Sequence, residues 1–545
     1  MTLILFAILI AALVLLAAVA GLVPRKALMA GTAGISGLVV VLAVLTLANG
    51  GGPTALELPI GPPGAAVHLA LDPLAASFLL LLFLVMPCTD TAPLRLAATA
   101  ITVLAGDSFA LVVGLLLLGG TSSLRVTAAA AVCLIVAFAL AAPLGDFAAI
   151  RATPPDGWRA AAVMLLVLAA AGVLSRVSMP IAAYLVLRTL FDLCGEGQPL
   201  WWGVPLLLAG AAIATIGALR AALADTLHTV LAAASLPLFG MAAMALGVAL
   251  FARPVDLPSV ASQALDAAWL ALVGHVLCRT LLLRCADAVE SGAGTRRLDR
   301  LGGLIHRMPI AAGTCLAGLF AAAVLPPSPG FAAFWLLFQS LLAAARIGGV
   351  GLQLLILCAA VLTALSVGVA ALAAVRLFGV VFLGRPRTPR TAAAEQAPRP
   401  VRLVLCGLAA MTTLLGLLPA LALLPAPRWT HATGVWSFAT LRTGAETPGY
   451  SPVVVVGLLA VAGIAVLRAM RGSGQRQREP AWSGGFAAPP PWLPFGDPAT
   501  QYGPASFVEP MQRVLVLPLP IAALGRQFAR CRDAVTRAAS ILVAP

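Results

Sequence analysis

The residues with chemistry to offer are few, and they sit where charge is expensive. His275 and Arg279 fall one helical turn apart in G-H-V-L-C-R, inside an otherwise apolar stretch. Arg188 and Asp192 share that spacing in L-R-T-L-F-D, and Asp225 and His228 are three apart in A-D-T-L-H. Arg376 in A-V-R-L-F-G and Asp107 in A-G-D-S-F-A stand alone in apolar surroundings. An ionisable side chain at membrane depth is costly and usually serves a substrate or ion path. Histidine exchanges a proton near neutral pH. Arginine stays protonated and can only hold water or bias a neighbour. The chemistry these types support is proton transfer, with His228, His275, Arg279, Arg376, Arg188 and Asp107 as candidates for the path. Plainer readings stand beside it. Arg188 and Arg376 could snorkel to the headgroups, Arg188 with Asp192 could be a structural pair at a helix end, and Asp225 could cap a helix. His275 with Arg279 resists such a reading, because both belong to one span.

Pro180 in S-M-P-I and Pro237 in A-S-L-P-L-F-G are candidate helix breaks. Proline removes a backbone donor and kinks a helix, and transporters place ion sites at such breaks. The alternative is a proline at an ordinary helix end, which is the expectation for Pro326, Pro327 and Pro329 in L-P-P-S-P-G-F. The nine cysteines form no C-x-x-C pair, so no zinc site, iron–sulfur cluster or disulfide framework is indicated. No P-loop and no G-x-G-x-x-G after a strand is present. We expect neither a cofactor nor a metal on this chain, and no electron transfer through it.

The elements that must position these residues are transmembrane helices. Only 10% of the 545 residues are charged and 61% are apolar, against about 25% charged in an average soluble domain. So few charges cannot solvate a globular surface of this size, and lipid must cover most of the outside. Apolar blocks near 2–23, 27–48, 66–87, 96–118, 126–145, 160–175, 203–219, 229–251, 308–325, 352–375, 403–425 and 452–467 approach the length of about 20 residues that a crossing requires. Stretches near 177–193, 264–285 and 330–345 carry charge or run shorter, and read the same way. Runs of alanine, leucine and valine without polar alternation fit helices rather than a β-barrel. The expectation is an all-α integral membrane protein of about 14 helices. The first block lacks a basic leader region and reads as a membrane helix rather than a signal peptide.

The formal charge of +14 comes almost wholly from arginine, with Lys26 the single lysine. These arginines sit in short loops, not on a nucleic-acid-binding face. Arg25 and Lys26, then Arg385, Arg387, Arg390, Arg399 and Arg402, then Arg468, Arg471, Arg476 and Arg478 follow spans, whereas 49–65 has none. By the positive-inside rule these clusters and 471–480 face the cytoplasm and the N-terminus lies outside, in a bacterial plasma membrane. The membrane part runs over 1–470, a Pro/Gly-rich loop over 471–505, and an amphipathic or interfacial segment over 506–545.

Three stretches carry a resemblance: R-R-L-D-R-L-G-G-L-I-H-R-M-P (296–309), L-P-P-S-P-G-F-A-A-F-W-L-L-F-Q-S-L-L (325–342) and V-R-L-F-G-V-V-F-L-G-R-P-R (375–387). L-D-P-L-A-A-S-F (71–78) and T-Q-Y-G-P-A-S-F-V-E-P-M-Q-R-V (500–514) extend it over most of the chain. The sequence resembles the antiporter-like membrane subunits of the complex I and group 4 hydrogenase superfamily, nearest the branch of hydrogenase-4 component B. That resemblance implies two inverted five-helix repeats. It implies membrane and peripheral partner subunits, with iron–sulfur, nickel–iron or quinone chemistry on those partners. It also implies proton translocation coupled to their electron transfer.

The departures fall on titratable positions. Where the family's D-L-K-x-x-L-A-Y-S motif has lysine, this chain has His228. Its H-x-x-x-K motif keeps His275 but carries Arg279. The lysine of M-x-K-x-G-x-Y falls on Pro180, with Tyr184 and Arg188 retained, and a glutamate or lysine position holds Phe334. Arg376 replaces a further lysine, no tryptophan–glutamate pair is visible in 114–124, and the P-L-H-x-W-L-P segment is missing. Arginine keeps lysine's charge and loses its exchangeable proton. Three readings follow: a proton-conducting subunit using His228, His275 and water, a scaffold subunit whose conduction is lost, or a free-standing monovalent cation/proton antiporter.

Overall fold

A computed structural model describes residues 2–49, 54–58, 61, 66–89, 92–141, 146–195, 198–426, 440–441, 449–472, 503–506, 508–509 and 513. The expected 471–505 loop and 506–545 interfacial segment therefore lie almost entirely outside the described residues. The chain forms two compact units, the first built on Met1–Trp202 and the second on Gly203–Leu424.

The first unit opens with α1 (Thr2–Ala18) and α2 (Arg25–Ala48). An antiparallel hairpin follows, β1 (Thr54–Leu58) and β2 (Val67–Leu71), with Glu57 opposite His68. Then come α3 (Pro73–Val85), α4 (Pro93–Leu104), α5 (Ser108–Ala141), α6 (Phe147–Ala152), α7 (Gly157–Leu174) and α8 (Met179–Val186). The last runs on as a π-helical turn over Leu187–Leu193. The second unit contains α9 (Gly203–Leu223), α10 (Leu227–Ala234), α11 (Leu236–Ala252) and α12 (Pro258–Ala293). It continues through α13 (Pro309–Ala322), α14 (Pro329–Ala344), α15 (Val350–Val381), α16 (Pro389–Ala392), α17 (Arg399–Leu417), α18 (Pro419–Leu423) and α19 (Pro452–Gly472).

Among the described residues nine helices are long and apolar enough to cross a membrane, and six apolar helices are shorter. The expected figure of about 14 is compatible with these helices. This is a multi-pass membrane protein. Burial sorts its helices: 89% of the apolar window of α12 is covered by protein, and none of that of α19. Leucines and valines point outward all along α15, with Val361 67% exposed and Leu365 54%. Such faces are stable against lipid or another apolar surface, not against water.

Two expected spans are broken. The 96–118 block is interrupted at Ala105–Asp107, because the end of the hairpin inserts there. Leu69 bridges Ala105, and the Gly106 N–H donates to the His68 carbonyl at 2.8 Å. A Cβ on Gly106 would lie 3.0 Å from that carbonyl oxygen. Hydropathy misses this break, since alanine and glycine score as span residues. The 229–251 block divides at Ser235, between α10 and α11, with Pro237 in the first turn of α11. The 66–87 block begins with β2, so helix starts only at Pro73. Within α5, Gly120 leaves helical geometry at φ 49°, ψ −160°.

Candidate functional site: a broken span and its ionisable neighbours

The second unit brings three of the candidate residues to backbone carbonyls at helix ends and breaks. Pro237 has no N–H to offer the preceding turn, and Ser235 interrupts the ladder. α12 supplies donors from the side. His275 Nδ1 lies 2.8 Å from the Ser235 carbonyl and Arg279 Nη1 lies 3.0 Å from the Ala232 carbonyl. Their four-residue spacing aims both at one break, which is why the pair sits on a single face of α12. His275 is fully buried, packs against the Phe239 ring at a centroid distance of 5.4 Å, and leaves Nε2 without a hydrogen-bond partner among the described residues. An Nδ1–H donated to a carbonyl leaves Nε2 as a free acceptor facing the interior.

Arg376 serves a second carbonyl cluster. From α15 it donates to Ala222 and, at 2.9 Å, to Ala224, both at the C-terminal end of α9. Its Nε reaches the Pro504 carbonyl at 2.8 Å, and Asp225 lies 3.5 Å away. A cation at the negative end of a helix is favourable. The sequence shows Arg376 alone and pairs Asp225 with His228. In the structure Asp225 faces Arg376 instead.

His228 turns to α12. Backbone bonds from Leu227 N to Arg296 O (2.8 Å) and from Leu298 N to Asp225 O (3.0 Å) lock the start of α10 against the chain leaving α12. His228 Nε2 then lies 3.0 Å from Asp287 and 3.6 Å from Glu290. Their other carboxylate oxygens are held by Arg284 at 3.4 Å and Arg296 at 2.6 Å. Sequence reading did not single out Asp287 or Glu290. Their three-residue spacing on α12 was a signal, but nothing local places His228 across from them.

In the first unit Arg188 is the centre of a buried network. Its guanidinium spans both oxygens of Asp72, the Asp192 carboxylate at 2.7 Å and the Tyr184 hydroxyl at 2.9 and 3.0 Å. Tyr184 donates to the Val103 carbonyl at 2.6 Å, and Arg151 binds Asp192 at 2.6 Å. The Arg188–Asp192 pair is present, inside the π-helical turn, and its principal partner is Asp72 at the start of α3. Pro180 lies in the first turn of α8, so it begins a helix there.

Asp107 caps α5. Its oxygens accept from Ala110 N at 2.6 Å and His68 N at 2.5 Å, with His68 Nδ1 at 3.7 Å. Loss of such a cap costs about 0.5–2 kcal/mol. Asp107→Ala is therefore expected to speed amide exchange in the first turn of α5 and lower the melting temperature. Unchanged exchange at Ala110 would remove the capping role. A further carboxylate not singled out from sequence, Asp266, is buried in α12 with 2% exposure.

Residues 74–363 match the family described as NADH:quinone oxidoreductase/Mrp antiporter, transmembrane. The chain belongs to that family. The matched span includes Arg188, His228, His275 and Arg279, while Asp72 and Arg376 flank it. Hydrogenase-4 component B of Escherichia coli K12 is 32% identical over 249 residues, 46% of this chain and 37% of that protein. Formate hydrogenlyase subunit 3 of the same strain is 32% identical over 245 residues, 45% of this chain and 40% of the relative. The chain thus matches well under half the length of either. Among solved structures, a chain of the membrane-bound sulfane sulfur reductase, an archaeal respiratory membrane complex, superposes with a TM-score of 0.76. That match covers 97% of this chain and 95% of the other at 15% identity, which establishes the shared family fold.

Proposed function

We propose that this protein is a membrane subunit of a hydrogenase-4-like or NADH:quinone oxidoreductase-like complex, and that it takes part in proton translocation coupled to electron transfer on other subunits. The observation that carries this reading is the broken α10–α11 span, whose freed carbonyls orient a buried histidine with one nitrogen open. Helix breaks of this kind form ion sites in transporters. Asp107 spends both oxygens on backbone donors, which argues against it as the ion-binding carboxylate of a free-standing antiporter. Membrane and peripheral partner subunits, carrying the iron–sulfur, nickel–iron or quinone groups, belong to the same proposal.

The orientation is proposed from charge. Seven arginines, at 296, 297, 300, 307, 385, 387 and 390, occupy two segments. Bonds from Gly303 N to Leu383 O (2.9 Å) and Ile305 N to Phe382 O (3.0 Å) hold those segments together. One end of the second unit is therefore arginine-rich, and by the positive-inside rule it faces the cytoplasm of a bacterial plasma membrane. His228 lies at that end and His275 deeper.

The purified complex, reconstituted in liposomes, is expected to lose coupled proton uptake on His275→Ala and to retain a reduced rate on His228→Ala, the more exposed site. Unchanged uptake in both would overturn the reading and leave a scaffold subunit. Phe334 favours that second reading, since it stacks between Phe331 and Phe338 at 6.4 and 5.7 Å and offers no proton.

A further inference from the structure

α12 is 36 residues long, about 54 Å at the helical rise, against a hydrocarbon core of about 30 Å. Its last turns carry the charges of Arg284, Asp287 and Glu290, which suit water and not hydrocarbon. Asp287 is 53% exposed and Glu290 31%. His228 is brought over them by the 225–227 and 296–298 pairing.

We propose that His228, Asp287 and Glu290 form a binding site for a zinc-class divalent cation at the arginine-rich end of the second unit. One ligand atom from each residue lies within 4.8 Å of the other two, and Nε2 faces Asp287 Oδ1 and Glu290 Oε2. A tetrahedral ion with bonds of about 2.0 Å separates its ligand atoms by about 3.3 Å. The two separations from Nε2, 3.0 and 3.6 Å, bracket that edge.

The imidazole distinguishes the group from a solvated acidic patch, because a neutral ring nitrogen suits zinc rather than calcium or magnesium. The arginines have a defined place. Arg284 takes Asp287 Oδ2 and Arg296 takes Glu290 Oε1, so each carboxylate is turned to present its remaining oxygen inward. This is the orienting role of groups one layer outside a metal. The same arginines offset the carboxylate charge, so the site is open and weaker than a closed four-ligand centre, with a water as the fourth ligand.

The site shares His228 with the proton path proposed above, but binding is measured without transport. The full chain, purified in detergent, is titrated with zinc chloride against a competing chelating dye. Altering an orienting group one layer out costs a metal site about 10–100-fold in affinity. Losing a direct ligand is expected to cost at least as much. His228→Ala, Asp287→Asn and Glu290→Gln should each weaken one zinc site by that factor, while Asp256→Asn, an exposed carboxylate on the α11–α12 turn, leaves it unchanged. X-ray absorption of the loaded protein should show nitrogen and oxygen neighbours only. A sulfur shell, pointing to the cysteines, would overturn the proposal. So would wild-type zinc affinity in all three variants, or displacement of zinc by equimolar magnesium.

Discussion

Replacing Arg188 with methionine is expected to cost the first unit about 3–5 kcal/mol, the penalty of leaving a buried charge without its partner. Arg188 is 1% exposed and Asp72 12%, so water cannot take over the lost bonds. Once Arg188 is gone, Asp72 keeps the Ala75 N–H at 2.8 Å and a distant Arg151 at 3.5 Å. Arg151, 36% exposed, is screened and adds little. Arg188→Lys should fall between wild type and methionine, because it keeps the charge and loses the fork that spans both Asp72 oxygens. The informative variant is the double one. Asp72→Asn retains a capping oxygen for α3 and removes the orphaned charge, so in the Arg188→Met background it should recover much of the lost stability. Thermal unfolding in detergent reads wild type, these three variants and Asp72→Asn alone. Additive losses in the double variant would mean that the two side chains are not coupled.

The same network shows what could be read from the chain and what could not. Arg188 and Asp192 were visible as a pair because four-residue spacing is a local property of helices. Asp72 was visible only as part of a resembling motif, since the pairing joins residues 116 apart in sequence. His275 and Arg279 were legible as a unit for the same local reason, and Pro237 as a break. That the two residues bind the carbonyls at that break is tertiary, and no periodicity encodes it. Asp107 was misleading in isolation: a lone aspartate in an apolar block resembles an ion site, while one of its oxygens caps α5 locally and the other is taken by a hairpin that approaches from residues 67–71. Number and placement of helices were largely legible, because hydrophobic length is a sum over neighbours. Their internal breaks at Ala105–Asp107 and Ser235 were only partly so, because alanine, glycine and serine barely register on that sum.

Five glycines were present in the sequence without any sign of their use, and they carry the second large effect. Gly203, Gly210 and Gly217 repeat every seven residues on α9, and Gly240 and Gly247 do so on α11. The two helices run antiparallel, so Gly210 meets Gly240 and Gly203 meets Gly247. A Cβ on Gly210 would stand 2.6 Å from both the Gly240 carbonyl oxygen and the Met244 nitrogen, and one on Gly240 would stand 2.5 Å from the Gly210 oxygen. These obstacles are backbone atoms, which cannot rotate away. In lipid, helices associate through such close packing, because lipid tails give no hydrophobic drive. Overpacking commonly costs about 1–3 kcal/mol where side chains can give way, and Gly210→Leu is expected to exceed that range. Gly313→Leu on α13 supplies the control, since nothing lies within 4 Å of a Cβ there. The same added bulk should leave its melting temperature unchanged or raised, because leucine forms helix more readily than glycine. Melting of Gly210→Leu at or above the temperature of Gly313→Leu would show that the close approach is not needed. The consequence reaches the site, because α11 begins at the Ser235 break. Pushing α11 off α9 moves the carbonyl that holds His275, so a milder Gly210→Ala variant that still folds should lower proton uptake without touching an ionisable residue.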